Sequence, residues 1–231
     1  MHKLEYLWLD GCTPTQIRSK TRVVKEFGKK DAPIWGFDGS STQQADGNSS
    51  DCVLKPVRYY PNPLEVNSSI VFCEVYNVDD TPHKSNTRKL LEETITELEG
   101  FYDEWVGFEQ EYTLFKHGRP MGWPSVGEPP PQGDYYCGRN IGEKISREHL
   151  NACIEAGIQI YGTNSEVMLG QWEYQIGPGG SIHMSDDLWV ARWLLERICE
   201  KHEVVISLHP KPVAGDWNGA GCHTNFSTRE M

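Results

Sequence analysis

Gly107-Phe108-Glu109-Gln110-Glu111-Tyr112-Thr113 alternates apolar or neutral side chains with glutamates, the pattern of an extended strand. In a strand, residues two apart share a face, so Glu109 and Glu111 project side by side while Phe108 and Tyr112 face the other way as anchors. Two adjacent carboxylates repel unless something positive lies between them, typically a divalent cation. An isolated pair is equally a solvated polar face, so the reading depends on what accompanies it. The companion is Asn164-Ser165-Glu166-Val167-Met168-Leu169-Gly170-Gln171-Trp172-Glu173-Tyr174-Gln175. Gly170 in its middle predicts a turn that folds Glu166 and Glu173 back towards one another as an antiparallel pair. Both glutamates sit among apolar or aromatic neighbours, where an ionised carboxylate is costly unless paired or metal-bound. The same segment also fits glutamates that point outward while the aromatics pack.

A third segment, Asp216-Trp217-Asn218-Gly219-Ala220-Gly221-Cys222-His223-Thr224-Asn225-Phe226-Ser227, supplies a histidine. Its glycines permit close backbone approach to a ligand, and strand alternation then puts His223, Asn225 and Ser227 on one face. The remaining histidines lack such a setting and read as surface or packing residues. Four glutamates and one histidine form a hard, oxygen-rich set that suits Mg2+ or Mn2+ better than zinc. Such ions serve phosphoryl transfer. The chain has neither a G-x-x-x-x-G-K-[ST] phosphate loop nor the H-R-D and D-F-G signatures of protein kinases.

Working outward, strands are expected at Leu4–Leu9, Ile34–Phe37 and Val71–Val78, with a polar loop over Ser40–Ser50 and a connector over Tyr60–Ser69. Helices are expected from a Ser85 cap to Gly100, from Ser146 towards Gly157 with Leu150, Cys153 and Ile154 on its face, and from Asp186 to His202 with Leu188, Ala191, Leu195 and Ile198 inward. Further strands fall at 106–115, 164–176, 203–208 and 222–228. Strands and helices without strict βαβ alternation predict an α+β fold: a small strand-rich module over 1–84, then a larger one with an antiparallel sheet and packed helices over 85–231.

The 231 residues are 38% hydrophobic and 11% aromatic, enough for a real core. A net charge of −11 argues against a nucleic-acid surface, which needs a basic patch. No apolar run suits a signal peptide or a membrane span. Seven cysteines without a C-x-x-C pair suit reduced thiols, and hence the cytoplasm, rather than disulfides or zinc.

In order along the chain, Phe37 to Thr42, Gly107 to Thr113, Asn164 to Pro178 and Lys211 to Ser227 resemble the motifs of glutamine synthetase, most nearly its type II form. Trp8 to Gly11, Arg18 to Thr21, Gln132 to Gly138 and Leu188 to Arg192 fit as well, so the resemblance spans essentially the whole chain. It implies a β-grasp-like first module and the first part of a glutamine synthetase catalytic domain. The implied reaction is ATP-dependent ligation of ammonia to the side-chain carboxylate of L-glutamate through a γ-glutamyl phosphate. On this resemblance Glu111, Glu166 and Glu173 hold one Mg2+ or Mn2+, and Glu109 and His223 a second. Asp38 helps bind and deprotonate ammonium, and Asp38 and Glu173 are the catalytic residues. Asp216, Trp217, Asn218 and Gly219 correspond to the glutamate-binding loop. Trp105, the run Glu173, Tyr174, Gln175, Ile176, Gly177 and Pro178, and Asn225, Phe226 and Ser227 correspond to nucleotide-contacting segments. The implied assembly is a homo-oligomer of stacked rings with sites at subunit interfaces, and no nucleic-acid or membrane partner.

Two stretches depart from the family pattern: Arg139-Asn140-Ile141-Gly142 replaces a Val-Gly-Ala run, and Leu169 stands where proline is more usual. Family members also continue past Met231 with another metal-binding glutamate, a flap glutamate and phosphate-binding arginines. This reading therefore expects an incomplete and nearly inactive chain. Its competitors are a non-catalytic glutamine-synthetase-like subunit and a ligase joining glutamate to another amine.

Overall fold

The computed structural model describes residues 1–28, 31–98 and 103–231. The chain forms two compact units, Met1–Asp103 and Glu104–Met231.

The first unit contains β1 (His2–Leu9), β2 (Ile17–Val24), β3 (Trp35–Asp38), a 3-10 turn (Gly39–Thr42), β4 (Asp51–Pro61), β5 (Ser68–Tyr76) and α1 (Thr87–Leu98). The sheet runs β2-β1-β5-β4-β3, with β1 and β5 parallel and the other pairs antiparallel. Alternation on β1 sends Leu4, Tyr6 and Trp8 into a core with Leu54, Val71, Cys73 and Val75, flanked by Trp35 and Phe37.

Two strands escape the sequence reading. β2 (IRSKTRVV) lies at the sheet edge and has no buried residue, so no apolar alternation marks it. β4 contains Pro56, which cannot donate to a ladder, and its register shifts between Pro56 and Arg58. Tyr60 and Pro61, expected in a connector, close β4 instead. The polar loop begins as the 3-10 turn, capped by Asp38, whose carboxylate accepts from Ser40 N. The α1 cap also differs: Asn86 Oδ1 accepts from Lys89 N at 3.1 Å. Ser85 is engaged by His83 Nδ1 at 2.8 Å and Gln44 Nε2 at 2.7 Å. The expected helix end at Gly100 lies outside the described residues.

The second unit contains β6 (Trp105–Lys116), β7 (Arg119–Pro120), α2 (Glu143–Ala156), β8 (Ile160–Ser165), β9 (Gln171–Gly179), α3 (Ser181–Lys201), β10 (Val205–Ser207) and β11 (Cys222–Ser227). Its sheet is antiparallel, ordered β10-β6-β9-β8, with β7 and β11 also paired to β6. One face of β6 and β9 is core. Tyr112, Leu114, Tyr174 and Ile176 are buried there, with Tyr174 edge-on to His149 of α2 and Gln110 bonded to Arg192 of α3. The opposite face carries Glu109, Glu111 and Glu173.

The helices bury faces partly different from those expected. α2 turns Ile145, His149, Ala152 and Ala156 inward, which leaves Ile154 exposed. The buried His149 is satisfied by donating from Nε2 to Ala191 O at 2.9 Å, and burial pushes its pKa down to about 4, keeping the ring neutral. α2 begins at Glu143, three residues before the expected Ser146, whose buried hydroxyl bonds Thr163 Oγ1 at 2.8 Å. α3 begins at Ser181, where Glu104 Oε1 accepts from Ser181 N and Oγ at 3.3 and 3.1 Å. That capping carboxylate comes from a distant part of the chain, so local sequence hides the start. Leu188, Ala191, Leu195 and Ile198 are all buried as expected.

Leu114→Ala should cost about 2–5 kcal/mol in denaturant unfolding, because Leu114 is wholly buried. Leu90→Ala on the exposed side of α1 should stay within about 0.5 kcal/mol of wild type.

Candidate metal centre

β6 and β9 are paired so that Glu111 stands opposite Glu173, and Glu109 opposite Gln175. β8 sets Asn164 opposite Glu173 on its other side. The chain then turns through Glu166 to Gln171, with Glu166 N donating to Gln171 O at 3.0 Å. At the turn Gly170 has φ +82°, and a Cβ there would come within 2.6 Å of Met121 O, so glycine is required on both counts. The result brings one carboxylate oxygen each from Glu111, Glu166 and Glu173 within 4.8 Å of one another. Glu166 and Glu173 are buried.

The electrostatics follow from that geometry. Burial, then repulsion from Glu111 and Glu173, raises the Glu166 pKa. Burial likewise leads the rise at Glu173, with Glu109 and Glu111 adding repulsion and a bond from Gln175 opposing it. Neutral amides hold both carboxylates. Asn164 Nδ2 donates to Glu166 Oε1 at 3.1 Å, and Gln175 Nε2 donates to Glu173 Oε1 and to Asn164 Oδ1, the latter at 2.7 Å. Glu111 Oε2 accepts from Gly221 N at 2.7 Å. Three convergent hard oxygens, two of them held away from water, fit one divalent cation.

Beside this triad, His223 lies opposite Glu109 across β11 and β6. His223 Nδ1 meets Glu109 Oε2 at 3.0 Å, and Asn225 Nδ2 donates to Glu109 Oε1 at 2.8 Å. These bonds lower the Glu109 pKa and, chiefly through Glu109, raise that of His223. The pair fits a second cation, taken by the neutral form of His223 and the Glu109 carboxylate.

Glu109 also opens onto a cavity of about 500 Å³ lined by Trp105, Phe108, Tyr161, Gln175, Ile176, Gly177, Pro178, Asn225, Phe226 and Ser227 among others. Most of the expected nucleotide-contacting residues are therefore gathered in one place. Glu173 and Tyr174 are not among them: Glu173 belongs to the carboxylate triad, and the Tyr174 ring is buried in the core.

The 216–219 loop is tied down by side chains the sequence reading left without a role. Gln132 Nε2 donates to Asp216 O at 3.1 Å, and its Oε1 accepts from Asn218 N at 2.8 Å. The buried Gln171 donates to Gly219 O at 2.6 Å and accepts from Asn218 Nδ2 at 2.8 Å. Trp217 packs on Trp123 at 4.6 Å between centroids. A fully buried glutamine beside the Glu166 turn is a signal that burial reveals and residue type alone does not. Asp38 belongs to the first unit, where it is exposed; bonds from Ser40 hold its carboxyl below the ordinary aspartate value.

Together these features define an α+β chain whose second unit presents, on an antiparallel sheet, a cluster of glutamates that fits a divalent cation. Residues 84–230 match the family model for the glutamine synthetase catalytic domain, and residues 1–78 match the glutamine synthetase beta-Grasp domain. A glutamine synthetase of Streptomyces viridochromogenes is 53% identical over 237 residues, covering 99% of this chain and 69% of the relative. Those of Bradyrhizobium diazoefficiens and Frankia alni are 50% and 49% identical, with 68% and 66% of their lengths covered. Among solved structures, one described as "Apo GmaS without ligand" superposes with a TM-score of 0.80 at 17% identity, over 97% of this chain and 54% of that one. Another, "GmaS/ADP complex-Conformation 1", gives 0.77 at 18% identity over 97% and 53%. This chain belongs to the glutamine synthetase family, whose members form glutamine with ATP as glutamate–ammonia ligases. It spans about two thirds of the length of its curated relatives and about half that of the solved structures.

The raised carboxyls have a direct consequence for stability. Each holds its proton more tightly in the folded protein than in the unfolded chain. The metal-free fold therefore loses stability as pH rises out of the ordinary glutamate range through the raised values. A bound cation reverses that loss, so the rise in melting temperature produced by Mn2+ should be larger at about pH 7.5 than at about pH 5. Equal rises at the two pH values would contradict the assignment.

Proposed function

We propose that the full-length protein ligates ammonia to the side-chain carboxylate of L-glutamate, with ATP becoming ADP and phosphate. The observation that carries this reading is the convergence of Glu111, Glu166 and Glu173, in a chain of this family, beside a cavity lined by aromatic side chains. Those three glutamates would hold one Mg2+ or Mn2+, and Glu109 with His223 a second. Cations held there neutralise phosphate charge during transfer.

The chain's own groups supply the rest. Trp105, Phe226 and the Gln175–Pro178 edge would take the nucleotide, leaving its phosphates towards Glu109. The strapped loop Asp216–Gly219 would fix the amino acid so that a side-chain carboxylate oxygen meets the γ-phosphorus. That P–O bond forms as the bond to ADP breaks, giving γ-glutamyl phosphate. Ammonia then attacks the acyl carbon, and phosphate departs with the C–O electron pair. Asp38, ionised and exposed, would attract ammonium and accept a proton from the attacking nitrogen. In the ring assembly we propose, that aspartate serves a neighbouring subunit's site. Seven free thiols support a cytoplasmic setting, and no described helix is long and apolar enough to cross a membrane.

Phosphate release by the full-length protein should require glutamate, ATP and ammonium together, and Glu166→Gln should reduce it by more than ~10²-fold. Release with a bulkier amine but not with ammonium, or undiminished release by Glu166→Gln, would overturn the reading.

A further inference from the structure

Asn140 belongs to none of the matched motifs, yet its side chain occupies the centre of the turn that carries Glu166. Its Nδ2 donates to the carbonyls of Glu166, Met168 and Gln171 at 3.3, 3.2 and 3.2 Å. Its Oδ1 accepts from Gly170 N at 2.8 Å and from Ile141 N at 2.7 Å. One amide thus bridges backbone groups of four residues between 166 and 171. The segment bearing it is anchored in turn: the indole of the buried Trp172 donates to Ile141 O at 2.7 Å, and Gly142 leads directly into α2.

The Glu166 carboxylate needs such support. Among the described residues, besides Asn164 Nδ2 it accepts a 3.3 Å bond from its neighbour Val167 N and no other, while Glu111 and Glu173 repel it. Unlike Glu111 and Glu173, it lies on a turn outside the ladder. Without Asn140, Glu166 O and Gly170 N would lose the partners they have here, while Met168 O and Gln171 O would keep their backbone bonds from Gln171 N and Glu166 N. The loosened turn would then relieve the repulsion by letting Glu166 move away.

We propose that Asn140 is a positioning residue, holding the Glu166 turn so that its carboxylate meets the metal with Glu111 and Glu173. This rests on the metal reading above, and the test separates the two. Mn2+ titrations of the full-length protein, followed by the electron paramagnetic resonance of the free ion, are made on wild type, Asn140→Ala, Glu166→Gln and the double variant. Melting temperatures fix conditions in which every variant is folded. Asn140→Ala should weaken Mn2+ binding roughly tenfold or more, and should add less than about twofold in the Glu166→Gln background, because it acts through Glu166. Asn140→Ser, which stays neutral and keeps a small polar side chain but lacks the two-donor amide, enters the same cycle if the alanine variant does not fold. Wild-type affinity in the Asn140 variants, or a loss that adds fully to that of Glu166→Gln, overturns the positioning role alone. Wild-type affinity in Glu166→Gln overturns the metal reading and this inference with it.

Discussion

Glu111, Glu166 and Glu173 bring three carboxylate oxygens within 4.8 Å of one another, two of them from buried residues. Like charges this close, and partly out of water, oppose folding unless something offsets them. Much of the second unit is arranged around that opposition. The β6–β9 register sets Glu111 directly opposite Glu173. A slip of one residue would turn one of them into the face occupied by Tyr112 and Tyr174. The aromatic core thus enforces the register, and the register enforces the repulsion.

The groups that hold these carboxylates and their surroundings are mostly neutral amides. Asn164 and Gln175 bond the glutamates themselves. Asn140 bonds the turn, and Gln171 with Gln132 fixes the 216–219 loop. An amide orients an anion without cancelling its charge, whereas a buried lysine or arginine would take the place of a cation permanently. The arrangement therefore keeps the negative charge available while restricting its geometry, which is the preorganisation a metal site needs. Asn140 extends the same logic from the side chain to the backbone beneath it.

How much of this was legible in the sequence depended on whether the cause was local. The period-2 pattern of β6, the Gly170 turn and the inward face of α3 were readable because burial and alternation act on neighbouring residues. The pairing of His223 with Glu109 and the residues of the pocket came from the family resemblance rather than from local pattern, because the partners lie on strands far apart in the chain. Edge strand β2 was hidden because both its faces are at least partly wet, and β4 because Pro56 interrupts it at a bulge. The starts of α1 and α3 depend on Asn86, on competition for Ser85 and on Glu104 from far along the chain. The inward turn of His149 depends on a carbonyl of α3. Asn140 was visible only as a departure from a pattern; four of its five bonds depend on a turn brought to it by the fold.

The account stands or falls on one cation shared by three glutamates. Anomalous diffraction at the manganese edge, from crystals of the full-length protein grown with Mn2+, tests it most directly. The expected result is a peak with one oxygen from each of Glu111, Glu166 and Glu173 at about 2.1 Å. A peak elsewhere, with these carboxylates still joined only to their amides, would contradict it.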